Sequence, residues 1–444
     1  MKKYNLKLTF TIFCVMLTIV GCASLSETGA GKEQKDVSFA EESGENQEET
    51  EQGAAKQDQN DGEDATGEST IVTEVENGNK KPLLDENVVR NRIGPDPVEY
   101  DEEELTSQAD GTEVLYYFEA LGEEEQKIYQ EVYLSVINRE EVVVSTLDTE
   151  LLDKAYQCVM MDHPEIFYSA GYVCTKHMQN DKLKSLTFYA KYDLEPEEVT
   201  ERQKAIDEYT KTCLSGMPQG LDQFGQIKYI YDYIIEHTRY DLNAGDNQNI
   251  CSVFMNGASV CQGYAEATQY LLRKLGYEIT IVTGKAEGGS HAWNLVKADG
   301  NYYYLDTTWG DVDYQTTAGE DELLKKMPVN YDYFLITTSQ LSKTHTIDTK
   351  VPMPACVSME DNYYVRTGTY FTEMDEGKIA ECFQKAALKD ADTVTLKADS
   401  DGVFGELKKY LLDEQRIFDY VNATDSVSYY EDSRMNTICF WLKR

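Results

Sequence analysis

Basic residues are in short supply: 41 Lys and Arg stand against 80 Asp and Glu, a formal net charge of −39 over 444 residues. A field of that sign repels phosphate backbones and anionic headgroups, so neither a nucleic-acid partner nor attachment through a basic membrane-binding surface is expected. Histidine is scarcer still, with 5 in the chain. There is no CxxC pair and no HExxH run, so the sequence implies no zinc site, no other metal and no cofactor. His163, His177, His237 and His345 lack metal-spaced partners and read as loop or helix-end residues. The 10 cysteines are too widely and irregularly spaced for a disulfide framework, and mostly reduced, buried thiols are expected. No internal repeat is visible. Beyond the first residues, no run is apolar enough to span a bilayer.

That first run is informative. A cationic start (Lys2, Lys3, Lys7) leads into apolar residues from Leu8 to Val20, a length that suits an export signal better than a spanning helix. The sequence Ile19-Val20-Gly21-Cys22 closes it and resembles the bacterial lipoprotein lipobox. The resemblance implies a signal over 1–21, lipid on Cys22, and a place at the extracytoplasmic face of the cell membrane. From 22 to 112 acidic residues outnumber basic ones severalfold among Gly, Gln, Ser and Thr, a composition that cannot bury enough apolar surface to offset its entropy. A disordered acidic tether is expected there.

Periodic patterning starts near Glu113. Helical spacing marks 122–138, 149–162, 196–214 and 222–238, while 165–174 and 183–192 read as strands. Together these predict a helical to α+β part over 113–224. A second part, 225–349, carries the chemistry. In Asn-Gly-Ala-Ser-Val-Cys-Gln-Gly-Tyr-Ala, Ser259 and Gln262 fit a capping box, which puts Cys261 at the second helical position. Unpaired N–H groups and the positive end of the helix dipole favour a thiolate there. Gly263 is read as leaving room beside it for an approaching chain, and so is the segment from Gly284 to Ser290 with Gly288 and Gly289.

Downstream, 290–296 and 302–306 alternate like two strands around Asp299-Gly300, a strong hairpin signal. A two-residue turn pairs 298 with 301 and makes every facing pair sum to 599. His291 and Asp306 then become diagonal neighbours within side-chain reach. A thiol at a helix start, an imidazole on the next strand pair and a carboxylate behind it form the parts of a nucleophile, its base and the group that orients the base.

The segments Ser259-Val260-Cys261-Gln262-Gly263-Tyr264-Ala265, His291-Ala292-Trp293-Asn294 and Asp306-Thr307-Thr308-Trp309 resemble, in order, the motifs of the transglutaminase-like superfamily. The resemblance implies a papain-like core in which a helix bearing Cys packs on an antiparallel sheet bearing His and Asp. It assigns Cys261, His291 and Asp306 as the triad, and it puts Tyr240 near the oxyanion, with Gln262, Gly263 and Trp293 adjacent. Thr307 departs from the proline common at that place. Asp311 and Asp313 show no EF-hand spacing and read as a solvated loop.

Residues 350–444 read as a small accessory α+β module: strand 362–371, helix 376–389, strand 393–397, helix 402–414, and two strands over 425–441. The expectation for the whole is an α+β, surface-anchored cysteine enzyme that attacks peptide or isopeptide-type carbonyls in a peptide, protein or cell-wall peptide substrate. A crosslinking transamidase and a non-catalytic binding protein on the same scaffold are the alternatives.

Overall fold

The computed structural model describes residues 68–76, 79–82, 96–107, 114–311, 329–421 and 427–442. The export signal, Cys22 and Asp313 lie outside the described residues. Mixed helices and sheets make the fold α+β.

The N-terminal layer is a sheet of order β2-β1-β4-β5-β3, built from β1 (Glu68–Glu76), β2 (Asn79–Pro82), β3 (Val142–Val144), β4 (Ser169–Gln179) and β5 (Lys182–Tyr192). Residues 68–82 fall inside the segment expected to be a tether. Within that acidic stretch, Thr70, Ile71, Val72, Thr73 and Val75 form a β-branched run suited to a pleated strand. β1 pairs antiparallel along β4 from Glu68↔Gln179 to Glu76↔Gly171.

Two helices, α1 (Glu123–Asn138) and α2 (Thr149–Asp162), pack with this sheet around Tyr129, Val132, Leu152, Val159, Tyr172 and Phe188. Asp148 caps α2 by accepting from the Glu150 N–H. The strand expected at 165–174 begins instead at Ser169. Ile166 and Phe167 first turn into the core after His163-Pro164 ends the helix.

Helices α3 (Pro196–Gly216) and α4 (Gln223–His237) lead to a short parallel pair, β6 (Arg239–Tyr240) with β7 (Ala258–Ser259), with the short helix α5 (Ile250–Phe254) between them. Next come α6 (Cys261–Lys274) and the central sheet of order β10-β9-β8-β11, made of β8 (Ile279–Ala286), β9 (Gly289–Ala298), β10 (Asn301–Leu305) and β11 (His345–Ile347). The β9–β10 register runs Ala298↔Asn301 to Asn294↔Leu305, as the Asp-Gly turn predicts. Asp299 and Gly300 take φ of 46° and 85°, the left-handed values that such a turn requires.

Buried polar contacts join α6 and β8 to the N-terminal layer. Arg273 reaches Asp162, Gln269 Nε2 donates to the Met161 carbonyl at 3.0 Å, and Tyr117 donates to the Ile281 carbonyl at 2.9 Å.

The C-terminal sheet has order β12-β13-β15-β14, from β12 (Tyr370–Phe371), β13 (Thr393–Ala398), β14 (Tyr429–Asp432) and β15 (Thr437–Trp441). Helices α7 (Glu376–Leu388) and α8 (Asp401–Lys408) complete its core around Ile379, Phe383, Leu396, Leu407 and Phe440. The strand expected at 362–371 is mostly a helical turn, Tyr363–Thr367. The Asn362 side chain accepts from the Tyr364 N–H to start it, and Gly368 at φ 81° ends it, leaving only two residues for β12.

Candidate active site

Cys261 is the first residue of α6, not the second, and it is buried. The expected capping box does not form: the cap position is Val260, which makes no side-chain cap hydrogen bond. Ser259 is occupied elsewhere, its Oγ lying 2.6 Å from Ser252 Oγ, while Gln262 Nε2 donates to Glu266 Oε1 at 2.8 Å. The residue before the thiol thus contributes no side-chain cap to the helix start. The helix dipole and first-turn N–H groups favour an anion there. The other described cysteines are buried as well. Burial pushes the thiols of Cys158, Cys213 and Cys356 up to about 12, and those of Cys251 and Cys439 up to about 11, which makes them poor nucleophiles.

His291 lies on β9 and Asp306 just beyond β10, and His291 Nε2 donates to Asp306 Oδ2 at 2.7 Å in a buried site. The hairpin register delivers this contact. Asp306 also caps a short helical turn, its Oδ1 accepting from the Trp309 N–H at 3.0 Å. Burial disfavours its charge, but His291 and then His345 outweigh that and hold the carboxyl far below the ordinary carboxylate range. Asp306 is thus an anion whose lone pairs are directed by three donors. With Nε2–H given to Asp306, the Nδ1 lone pair of His291 is the one that can accept a proton.

His345, read from sequence as a loop or helix-end residue, is the correction of most consequence. It starts β11, which pairs antiparallel with β8 as His345↔Ala286, and its buried Nε2 donates to the same Asp306 Oδ2 at 3.1 Å. No spacing marks it, because it follows Asp306 by 39 residues and its strand has only three. Among the described residues, His291, Asp306 and His345 form the one group whose ligand atoms, within 4.8 Å of one another, could close on a metal ion. The 2.7 and 3.1 Å separations are hydrogen-bond lengths, and each is satisfied by an imidazole N–H, which a bound ion would have to displace.

The remaining residues singled out from sequence are placed as follows. Tyr240 pairs across β6–β7 with Ser259, which precedes Cys261 by two residues, and its ring lies 6.4 Å from that of Tyr264. Trp293 is buried, with its ring 5.8 Å from His291 and 5.0 Å from His345. Gly263 does not admit a substrate chain. A Cβ there would lie 2.1 Å from Ser259 Oγ and 3.0 Å from the Asn249 carbonyl, so the close approach is made by the protein's own segment 249–259.

Gly284 to Ser290 is likewise no open loop, since 284–286 belong to β8 and 289–290 to β9. Glu287 and Gly288 make a two-residue turn, and a Cβ at Gly284 would collide with the Thr346 carbonyl of β11. Asp311 is half-buried rather than solvated, accepting from the Tyr264 hydroxyl at 2.5 Å.

Glu266, partner of Gln262, is buried, and that burial pushes its carboxyl up to about 8 against the opposing hydrogen bonds from Gln262 and the Ile250 N–H. The folded protein holds a proton here that the unfolded chain, titrating near 4.3, releases. This group's contribution to stability is therefore full below about pH 4.3. It declines up to about pH 8, by roughly 1.4 kcal/mol per pH unit in the limit of complete linkage. Glu266→Gln is expected to match the wild type at pH 5 and to exceed its stability at pH 8, as read by denaturant unfolding at the two pH values.

The sequence model of the transglutaminase-like superfamily matches residues 207–307, the stretch that contains Cys261, His291 and Asp306. The core over these residues is transglutaminase-like. Mouse kyphoscoliosis peptidase (Mus musculus) is 24% identical over 182 residues, which cover 37% of this chain and 26% of that protein. The human protein (Homo sapiens) is 23% identical over 214 residues, 42% of this chain and 31% of its own. The chain thus matches about a quarter to a third of the length of these curated relatives. A crystal structure of a TGase aligns at 17% identity over 36% of this chain and 50% of that one, with a TM-score of 0.24. The transglutaminase-like superfamily is a family of cysteine enzymes that also includes inactive members, and its core here is α+β, with a helix headed by Cys261 packed on the sheet of β8 and β9.

Proposed function

We propose that this chain is a lipid-anchored, extracytoplasmic cysteine hydrolase that cleaves peptide or isopeptide-type amides through a thioester on Cys261. The observation that carries the reading is the buried 2.7 Å contact between His291 and an ionised Asp306, which fixes the imidazole as a base in a core headed by Cys261. His291 Nδ1 takes the thiol proton, and the sulfur forms a bond to the carbonyl carbon. The oxyanion is stabilised by first-turn N–H groups of α6. Collapse breaks the C–N bond as His291 returns the proton to the leaving amine. Water then attacks the thioester, giving its proton to His291 and releasing a carboxylic acid and the thiol. The peptidase name of the curated relatives agrees with water as the acceptor. The resemblance of Ile19-Val20-Gly21-Cys22 to a lipobox supports anchoring.

The test is to trap the acyl-enzyme and compare its decay in buffer and in excess primary amine. Decay that amine does not accelerate is expected. An intermediate long-lived in water and rapidly converted to amide would make the protein a transamidase. Membrane fractionation of Cys22→Ala, expected to be soluble, tests the anchor.

A further inference from the structure

Asp306 is served by two imidazoles, and the reaction just described uses only one. Behind His345 stands a directed chain of donors. The buried Tyr333 hydroxyl lies 3.3 Å from Thr344 Oγ1, and Thr344 Oγ1 lies 2.8 Å from His345 Nδ1. Burial pushes the Tyr333 phenol well above its ordinary value, so it keeps its proton and donates. The Thr344 hydroxyl has two acceptors within reach, the Leu341 carbonyl at 3.5 Å and His345 Nδ1 at 2.8 Å, and the shorter is the imidazole nitrogen. A hydroxyl that donates to Nδ1 requires the His345 proton to sit on Nε2, the atom that faces Asp306. The rings of Trp293, Trp309 and Tyr333, at centroid distances of 5.0, 4.7 and 5.5 Å, wall His345 in.

We propose that His345 is a positioning residue for the His291 base: held as the neutral Nε2–H tautomer by Thr344, it anchors Asp306 Oδ2 so that the carboxylate meets His291 in one orientation. The neutral form matters. An imidazolium at 345 would cancel the carboxylate charge that His291 needs when it becomes protonated, whereas a neutral donor orients the anion without spending that charge. The proposal rests on the cysteine-enzyme reading of the site.

The experiment measures the rate at which iodoacetamide alkylates Cys261 in the full-length protein, together with kcat and KM on a peptide-amide substrate. His345→Phe fills the aromatic cage but removes the donor. It is expected to lower the alkylation rate and kcat by about tenfold or more, the worth of one hydrogen bond to a charged group, with KM little changed. His345→Gln, whose side-chain amide can donate from nearly the same point, is expected to recover most of that loss. Thr344→Val, a milder change, is expected to leave the fold intact and to shift the 15N resonances of His345 away from the pure Nε2–H tautomer.

If His345→Phe is folded and fully active, or if Gln fails to rescue it, the positioning role is overturned. If wild-type Cys261 reacts no faster than the other buried thiols, the enzyme reading itself fails, a result distinct from either of those.

Discussion

Cys261→Ala is expected to abolish turnover, a loss on the order of 10⁴-fold or more, while the protein remains folded with a melting curve close to that of the wild type. A nucleophile that acts together with its base leaves little residual covalent chemistry once removed. The fold tolerates the change because Cys261 opens a helix, where alanine is at least as favourable as cysteine, and because the deletion removes a single sulfur atom. Selectivity makes the test clean. Burial raises six other cysteines well above neutral pH, so native-state alkylation is expected at Cys261 ahead of Cys158, Cys213, Cys251, Cys356, Cys382 and Cys439. Mass spectrometry of the alkylated protein and a thermal melt decide the matter. An unfolded Cys261→Ala variant would make the cysteine structural, and a folded one with normal turnover would place the nucleophile elsewhere.

What the sequence disclosed and what it hid divide along the range of the interactions. The hairpin was legible because one Asp-Gly turn sets the register of everything around it, and the His291–Asp306 contact follows from that register alone. Helices with strong apolar periods, such as 123–138 and 376–388, were legible for the same local reason. Ser259 was misread because a hydroxyl before a helix has two outlets, and here Ser252 offers a partner that the local pattern does not reveal. Gly263 was misread as substrate space because a missing Cβ reports a close approach without saying by whom. His345 was missed for a deeper reason: its partner Asp306 lies 39 residues away at the start of a helical turn, and a three-residue edge strand has no period to read.

Lys397 belongs to the same class, and it yields the second large effect. In Thr393–Ala398 the alternation puts Val394 and Leu396 on one face and Thr395 and Lys397 on the other, a pattern that reads as solvent-facing for the lysine. Yet Lys397 is buried. Its Nζ lies 2.7 Å from Asp332 Oδ1 and 2.8 Å from the Met435 carbonyl, and Asp332 itself is almost wholly covered, with Thr437 donating to it at 2.6 Å. This pair ties the C-terminal sheet to the segment whose next residue, Tyr333, accepts the Asp306 N–H at 3.0 Å. Lys397→Ala would leave the Asp332 carboxylate buried without its counter-charge, so a loss of about 3–5 kcal/mol of stability is expected. Pairing the change with Asp332→Leu, as Lys397→Met/Asp332→Leu, removes both charges and should restore much of that loss, since apolar replacements of buried ion pairs are often neutral or better. Denaturant unfolding of Lys397→Met, Asp332→Leu and the double variant measures the coupling. Activity under conditions where each variant is folded reports whether the tie also steadies Asp306. If Lys397→Ala costs less than about 1 kcal/mol, in the range of an exposed pair, then the contact is not buried in solution and the C-terminal sheet is not held to the transglutaminase-like core by this pair.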